Sequence, residues 1–292
     1  MATTGSGTEE SGAPLNVYTV NYPLQYLAAR VGGNRVKVHL PLPVDEDPAF
    51  WSPDLATVLD YQRADIILLN GAGYAAWVER VSLVPSRVVD TSAGFSDRLL
   101  NLNDSVVHIH GPQGEHARDN LAFTLWLDPQ LAILQATAIR DAFAARLPGA
   151  INLFDENLAA LTEDFNVLDA GLEEVFARVG NRPVIYSHPV YQYLDERYDL
   201  KGSTRHWEPG ETPTERELSE LGDLSGALLI WEAEPLEKTS AQLQSMGITS
   251  VVFDICATRR EAGNFLDVMR NNLKRLNAVL PETSDPQSSD GL

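Results

Sequence analysis

The stretch DPQLAILQATAIRDAFAARLPGAINLFDENLAALTEDFNVLDAGLEEVFARV, residues 128–179, decides the fold because its pattern is almost purely helical. Apolar residues recur at three- and four-residue spacing from Leu158 to Val175, as on one face of an amphipathic helix. Pro148 and Gly149 divide the stretch, and the second helix has room for about 28 residues, roughly 40 Å of length. A helix of that length either joins two lobes as a strut or packs within one domain.

Short β-branched strand patterns alternate with helical patterns on both sides of this stretch. This alternation predicts an α/β fold with two lobes, each with a mostly parallel β-sheet flanked by helices, joined by one long backbone helix. The predicted parts are an N-terminal α/β lobe at 15–148, the connecting helix at 149–180 and a C-terminal α/β lobe at 181–280.

Composition excludes several classes of function. Of the 292 residues, 41 are acidic and 22 are basic, and the net charge of −19 disfavours nucleic acid or anionic lipid as a partner. The polar residues 1–14 predict a flexible leader without a signal peptide, compatible with removal of a signal or lipid anchor upstream. Residues 281–292 have the composition of a disordered tail.

Two residues at predicted strand ends are the first candidates for a site. His188 follows the strand pattern at 184–187, and Asp254 follows the one at 251–253. Ligands bind outside the carboxyl ends of strands in open α/β sheets, and an imidazole with a carboxylate suits a divalent metal. The alternatives are a structural role for His188, and for Asp254 a cap or an ion pair with Arg259 or Arg260.

Four segments resemble those of a known family: VYTVNYPL at 17–24, ADIILLNGAG at 64–73 followed by Trp77, WLDP at 126–129, and Ser187-His188 followed by Tyr193-Leu194. The family is the zinc and manganese receptors of ABC importers, the ZnuA/TroA-like substrate-binding proteins, and the likeness extends from about residue 15 to 280. It implies two α/β lobes on one long helix, with a metal ion held in the cleft between them. It also implies a receptor and not an enzyme.

The departures from the family pattern concern its four cleft ligands. By resemblance, the third and fourth ligands correspond to His188 and Asp254, which are both present. The first corresponds to Ala49, which cannot bind metal, and the second to Thr124, which is a poor zinc ligand. Half of the usual site is therefore missing.

A histidine-containing loop, VHIHGPQGEH at 107–116, offers replacements. His108 and His110 alternate on an extended segment and so face the same way, and the following turn can bring His116 back to them. The predicted metal ligands are therefore His108, His110, His116, His188 and Asp254. Spare ligands are Glu232 and His206, and the alternative for the loop is a solvated surface feature.

The leading hypothesis is an extracytoplasmic receptor, periplasmic or lipid-anchored in its precursor, that carries Zn²⁺ to an ABC permease as a monomer. Zinc is favoured over manganese because the ligand set is rich in nitrogen. Affinity should fall below about pH 6, where histidine becomes protonated. The alternatives are another metal such as Mn²⁺, or a small organic ligand. A metallohydrolase is disfavoured because no nucleophile elbow or Gly-rich phosphate loop is present.

Overall fold

The computed structural model describes residues 13–43, 46–102, 121–222 and 224–280. Among these residues, eight strands form two four-stranded sheets. They are β1 Leu15–Thr19, β2 Val36–His39, β3 Ile66–Leu69, β4 Val88–Asp90, β5 Val184–Tyr186, β6 Ser203–Thr204, β7 Leu228–Trp231 and β8 Thr249–Val252. The α-helices are α1 Tyr22–Gly32, α2 Leu55–Arg63, α3 Pro129–Arg146, α4 Ile151–Ala177, α5 Gln192–Tyr198, α6 Glu215–Ser219, α7 Glu237–Ser245 and α8 Phe265–Val279.

Both sheets are parallel throughout and have the same winding. The order is β2-β1-β3-β4 in the N-terminal lobe and β6-β5-β7-β8 in the C-terminal lobe. The chain moves outward from the first strand of each lobe and then returns past it, so the strand order reverses between β1 and β3 and between β5 and β7. A crevice opens at the carboxyl ends of the strands at such a reversal. The predicted fold class is confirmed.

The predicted long helix is α4, which has 27 residues. Its buried stripe keeps the three- and four-residue spacing of the sequence through Leu161, Phe165, Leu168 and Leu172. The helix packs against α1 of one lobe and α8 of the other. Because it contacts both lobes, α4 has the strut role that was one of the two alternatives.

The carboxylate of Asp164 on α4 pairs with one arginine from each lobe. Asp164 accepts from Arg30 on α1 at 2.8 Å and from Arg270 on α8 at 2.9 Å. The three side chains are roughly one-third to one-half exposed, so each pair contributes about 1 kcal/mol or less. The charges therefore orient helices whose attachment comes from the apolar core.

Three side-chain donors also hold the lobes together, and each donates to a main-chain carbonyl of the other lobe. Trp126 Nε1 donates to the carbonyl oxygen of Ile255 at 2.7 Å, and Thr124 Oγ1 to that of Val190 at 2.6 Å. Tyr193 OH donates to the carbonyl of Ala122 at 3.0 Å.

The structure differs from the expected elements in one place. The sequence at residues 75–81 predicts a helix, whereas the structure has a 3₁₀ turn there, Ala76–Arg80. The chain enters it through positive-φ backbone at Ala72, Gly73 and Ala75, so right-handed helical geometry begins only at Ala76 and the element stays short.

Several expectations concern residues outside the described ranges. The sequence also predicts a strand at 106–108, and this segment lies there together with residues 1–12 of the leader and the whole tail. The domain boundaries stay predictions. No helix among the described residues has both the length and the apolar character needed to cross a membrane.

Candidate metal site

The four strands of the C-terminal sheet each lead to a potential metal ligand. His188 follows β5, Glu208 follows β6, Glu232 follows β7 and Asp254 follows β8. Parallel strands end at the same edge of the sheet, and His188 and Glu232 follow the two strands between which the order reverses.

Main-chain hydrogen bonds continue past the strands and align these residues. The amide of Ser187 donates to the carbonyl of Ile230 at 2.9 Å, and the amide of Trp207 donates to the carbonyl of Ser187 at 2.8 Å. On the other side, the amide of Phe253 donates to the carbonyl of Trp231 at 2.8 Å. The segment that carries His188 therefore lies between the two segments that carry Glu208 and Glu232.

A repeated Trp-Glu pair positions the glutamates. Trp207 precedes Glu208 and Trp231 precedes Glu232, and both indole rings are buried with their centroids 6.1 Å apart. The indoles anchor the ends of the two segments in the apolar core of the C-terminal lobe. The carboxylates that follow them reach the sheet edge side by side.

His188, Glu208 and Glu232 form a cluster with the dimensions of a metal site. The Nδ1 atom of His188 lies 3.6 Å from Glu232 Oε1 and 3.8 Å from Glu208 Oε1. One potential ligand atom from each residue lies within 4.8 Å of the other two. Ligand atoms at about 2 Å from a common ion lie at such mutual distances. The set offers one nitrogen and two oxygens, which suits Zn²⁺ or Mn²⁺.

The surroundings of Glu232 oppose the ionisation of its carboxyl group. Burial and, after it, the negative charges of Glu208, Asp47 and Asp254 together raise the pKa of Glu232 to about 7. The side chain of Glu232 is 23% exposed, so burial is the largest cause of its raised pKa. A divalent cation would relieve both effects, since it favours the ionised carboxylates.

Asp254 lies at the end of β8 as the sequence predicts, and its carboxylate holds an arginine. Arg260 Nε donates to Oδ2 at 2.8 Å and an Arg260 terminal nitrogen donates to Oδ1 at 2.5 Å, while the amide of Cys256 also donates to Oδ1, at 2.7 Å. Pairing with Arg260 is one of the alternatives considered for Asp254. Its role as a metal ligand stays a prediction.

The N-terminal lobe contributes charge to the same region. Asp47 affects the pKa of Glu232 from the loop after β2, and its Oδ1 accepts from the amide of Ala49 at 2.9 Å. Thr124 is buried, and its hydroxyl donates to Val190. Thr124 therefore serves the contact between the lobes.

The other predicted residues have different outcomes. His108, His110 and His116 lie outside the described residues. The ring of His206 lies 6.0 Å from that of His188 and is at the margin of the cluster. Glu232, a spare ligand in the sequence interpretation, is a full member.

Glu208 is not among the ligands predicted from the sequence. The signal that could have revealed it is the recurrence of Trp-Glu at 207–208 and 231–232, each at the end of a strand region.

The comparison with protein families identifies the chain. Residues 17–279 match the model described as zinc-uptake complex component A, periplasmic. The chain belongs to this family. The zinc-uptake component A family is a family of periplasmic solute-binding receptors and not of enzymes.

The names of individual relatives in this family specify different metals. The zinc-binding lipoprotein AdcA of Streptococcus pneumoniae is 25% identical over 97% of this chain and 58% of AdcA. The manganese ABC transporter substrate-binding lipoprotein PsaA of the same organism is 25% identical over 70% of this chain and 65% of PsaA. The chain thus spans less than two-thirds of the length of these relatives.

Two solved structures illustrate the fold that this chain shares with known proteins. The Zn(II)-bound ZnuA-like domain of S. pneumoniae AdcA has a TM-score of 0.76 at 22% identity, covering 92% of this chain and 99% of that domain. The metal-dependent lipoprotein YcdH of Bacillus subtilis has a TM-score of 0.76 at 19% identity, covering 91% and 99%.

Proposed function

We propose that this chain is the extracytoplasmic receptor of an ABC importer and that it captures Zn²⁺ in the cleft between its lobes for delivery to a membrane permease. The observation that carries the proposal is the cluster of His188, Glu208 and Glu232 at the reversal of the C-terminal sheet. Metal-binding relatives that are named lipoproteins of ABC transporters support the class of ligand and an extracytoplasmic location.

Three protein donors leave a coordination position to be completed, because zinc in proteins takes about four ligands. We infer that a histidine of the 107–116 loop supplies it from the N-terminal lobe. The replacement of two expected N-lobe ligands by Ala49 and Thr124 motivates this inference, since a cleft site needs a donor from each lobe. The net charge of −19 is consistent with a small cationic cargo, and we propose that the chain acts as a monomer.

Mn²⁺ is the second candidate, and a specific observation favours it. The described cluster contains one imidazole and two carboxylates, and oxygen donors suit harder cations such as Mn²⁺. A small organic ligand is the third candidate, for which we find no comparable cluster of donors among the described residues.

The test is a titration of metal-free protein with Zn²⁺ and with Mn²⁺, each in competition with a chromophoric chelator. The variants are His188→Ala, Glu208→Gln/Glu232→Gln and His108→Ala/His110→Ala, and the matched control is Glu234→Gln, an exposed carboxylate two residues from the cluster.

We expect one tight Zn²⁺ per chain, weakened at least tenfold in each of the three variants and unchanged in the control. Tighter binding of Mn²⁺ than of Zn²⁺ would favour the second candidate. Absence of tight binding by either ion would refute a metal receptor. Loss of affinity in the loop variant alone would move the site away from the cluster.

A further inference from the structure

The carboxylate of Asp254, near the cluster, has a cationic partner. Arg260 reaches it with two nitrogens, one for each carboxylate oxygen. This fork geometry is the strongest pairing that arginine makes with a carboxylate, and it is specific to the planar guanidinium.

The two members of this pair differ in how firmly they are held. The main chain of Asp254 is bound from both sides by the buried side chain of Asn272, which accepts from its amide at 3.0 Å and donates to its carbonyl at 2.8 Å. Arg260 lies in the irregular segment between β8 and α8, and its side chain is 41% exposed. The carboxylate therefore stays at the sheet edge, while the guanidinium has space to leave.

Asp254 is also placed near the metal-binding cluster. The main-chain bond from Phe253 to Trp231 sets Asp254 beside Glu232, and the charge of Asp254 acts on Glu232. An ion bound between His188 and Glu232 would attract the same carboxylate that Arg260 holds.

We propose that Arg260 is an internal competitor of the metal ion for Asp254. It withholds this carboxylate from the cluster until an ion arrives and then releases it as a further oxygen ligand. The inference rests on the proposed metal receptor and adds the residue that sets its affinity. Metal binding has to break the fork, so the affinity of the native protein is lower than its ligands alone would give.

The experiment is a Zn²⁺ titration against a chromophoric chelator, on the full chain, with five variants. They are Arg260→Gln, Arg260→Lys, Asp254→Asn, the double variant Asp254→Asn/Arg260→Gln and the control Arg259→Gln. We expect Arg260→Gln to bind Zn²⁺ about tenfold more tightly than wild type, equivalent to about 1.4 kcal/mol. Arg260→Lys keeps the charge but loses the fork, so its gain should be smaller, and Arg259→Gln should match wild type.

The double variant separates competition from simple removal of a positive charge. If Arg260 acts through Asp254, the gain disappears in the Asp254→Asn background, and the double variant matches Asp254→Asn. A tenfold gain that persists in that background would overturn the inference, as would no gain in Arg260→Gln. Thermal unfolding of each metal-free variant verifies that it is folded.

Failure of the two ideas can be distinguished. Tight binding by wild type with no change in Arg260→Gln would refute only the competition. Binding of Zn²⁺ by Arg260→Gln but not by wild type would be the extreme case of competition. Absence of binding in both would overturn the receptor and the competition together.

Discussion

Replacement of Glu232 by glutamine should stabilise the metal-free protein at alkaline pH. The raised pKa of Glu232, about 7 against an ordinary 4.5, means that the folded state prefers the protonated carboxyl. Between these two values the folded protein binds more protons than the unfolded chain, so the free energy of unfolding falls as pH rises. The stabilising contribution is complete below about pH 4.5 and is lost above about pH 7.

The magnitude follows from the size of this shift. The difference between a pKa of about 7 and the ordinary 4.5 corresponds to roughly 3 kcal/mol, at about 1.4 kcal/mol for each pKa unit. Because the side chain is 23% exposed, solvent screening reduces this to about 2 to 3 kcal/mol. Glutamine keeps the shape without the charge, so Glu232→Gln should exceed wild type by that amount at pH 8 and match it near pH 4.5.

Urea unfolding in the presence of a chelator measures this difference at pH 5, 6, 7 and 8. Glu234→Gln is the control, because it removes an exposed carboxylate from the same segment and should follow wild type. If wild type and Glu232→Gln lose the same stability between pH 5 and 8, the electrostatic account of the cluster is wrong. With saturating Zn²⁺, wild type should regain the stability that its metal-free form lacks at pH 8.

Three further substitutions probe the frame around the site, each by thermal or urea unfolding. Asp169→Asn should cost about 2 kcal/mol, because buried Asp169 on α4 accepts from Arg197 with both carboxylate oxygens and the change leaves that guanidinium only the longer contact with Asp128, at 3.8 Å; a loss below about 1 kcal/mol would contradict this. Gly71→Ala should cost about 2 kcal/mol, since φ there is +82° and an added Cβ would lie 1.8 Å from Ser92 Oγ; an unchanged midpoint would refute it. Asn264→Ala should cost about 1 kcal/mol by removing the capping box of α8, and stability equal to wild type would refute a capping role.

Much of the fold could be predicted because the spacing of apolar residues along the sequence differs between helices and strands. The spacing of apolar residues along α4 gave its length and buried face. The β-branched runs gave strands whose ends carry His188 and Asp254. These two positions follow from the rule that parallel strands present their carboxyl ends together.

The rest of the site lies on segments that have no regular spacing of apolar residues. β6 contains only Ser203 and Thr204, which is too short for alternation to mark its end, so Glu208 could not be assigned to the sheet edge. The ion pair of Asp254 could be named as an alternative, but the choice of Arg260 depends on the path of an irregular segment. The contribution of the loop histidines stays a prediction.

The bonds between the lobes also bear on how this protein can evolve. Trp126, Thr124 and Tyr193 donate to main-chain carbonyls, and every amino acid supplies a carbonyl. Substitutions at the acceptor positions, such as Val190 and Ile255, therefore leave the bonds available, whereas substitutions of the donors remove them. Selection for the contact between the lobes therefore acts on the donor side chain of each pair. The acceptor segments next to His188 and Asp254 can change in sequence without losing these bonds, and such changes can alter which metal the site prefers.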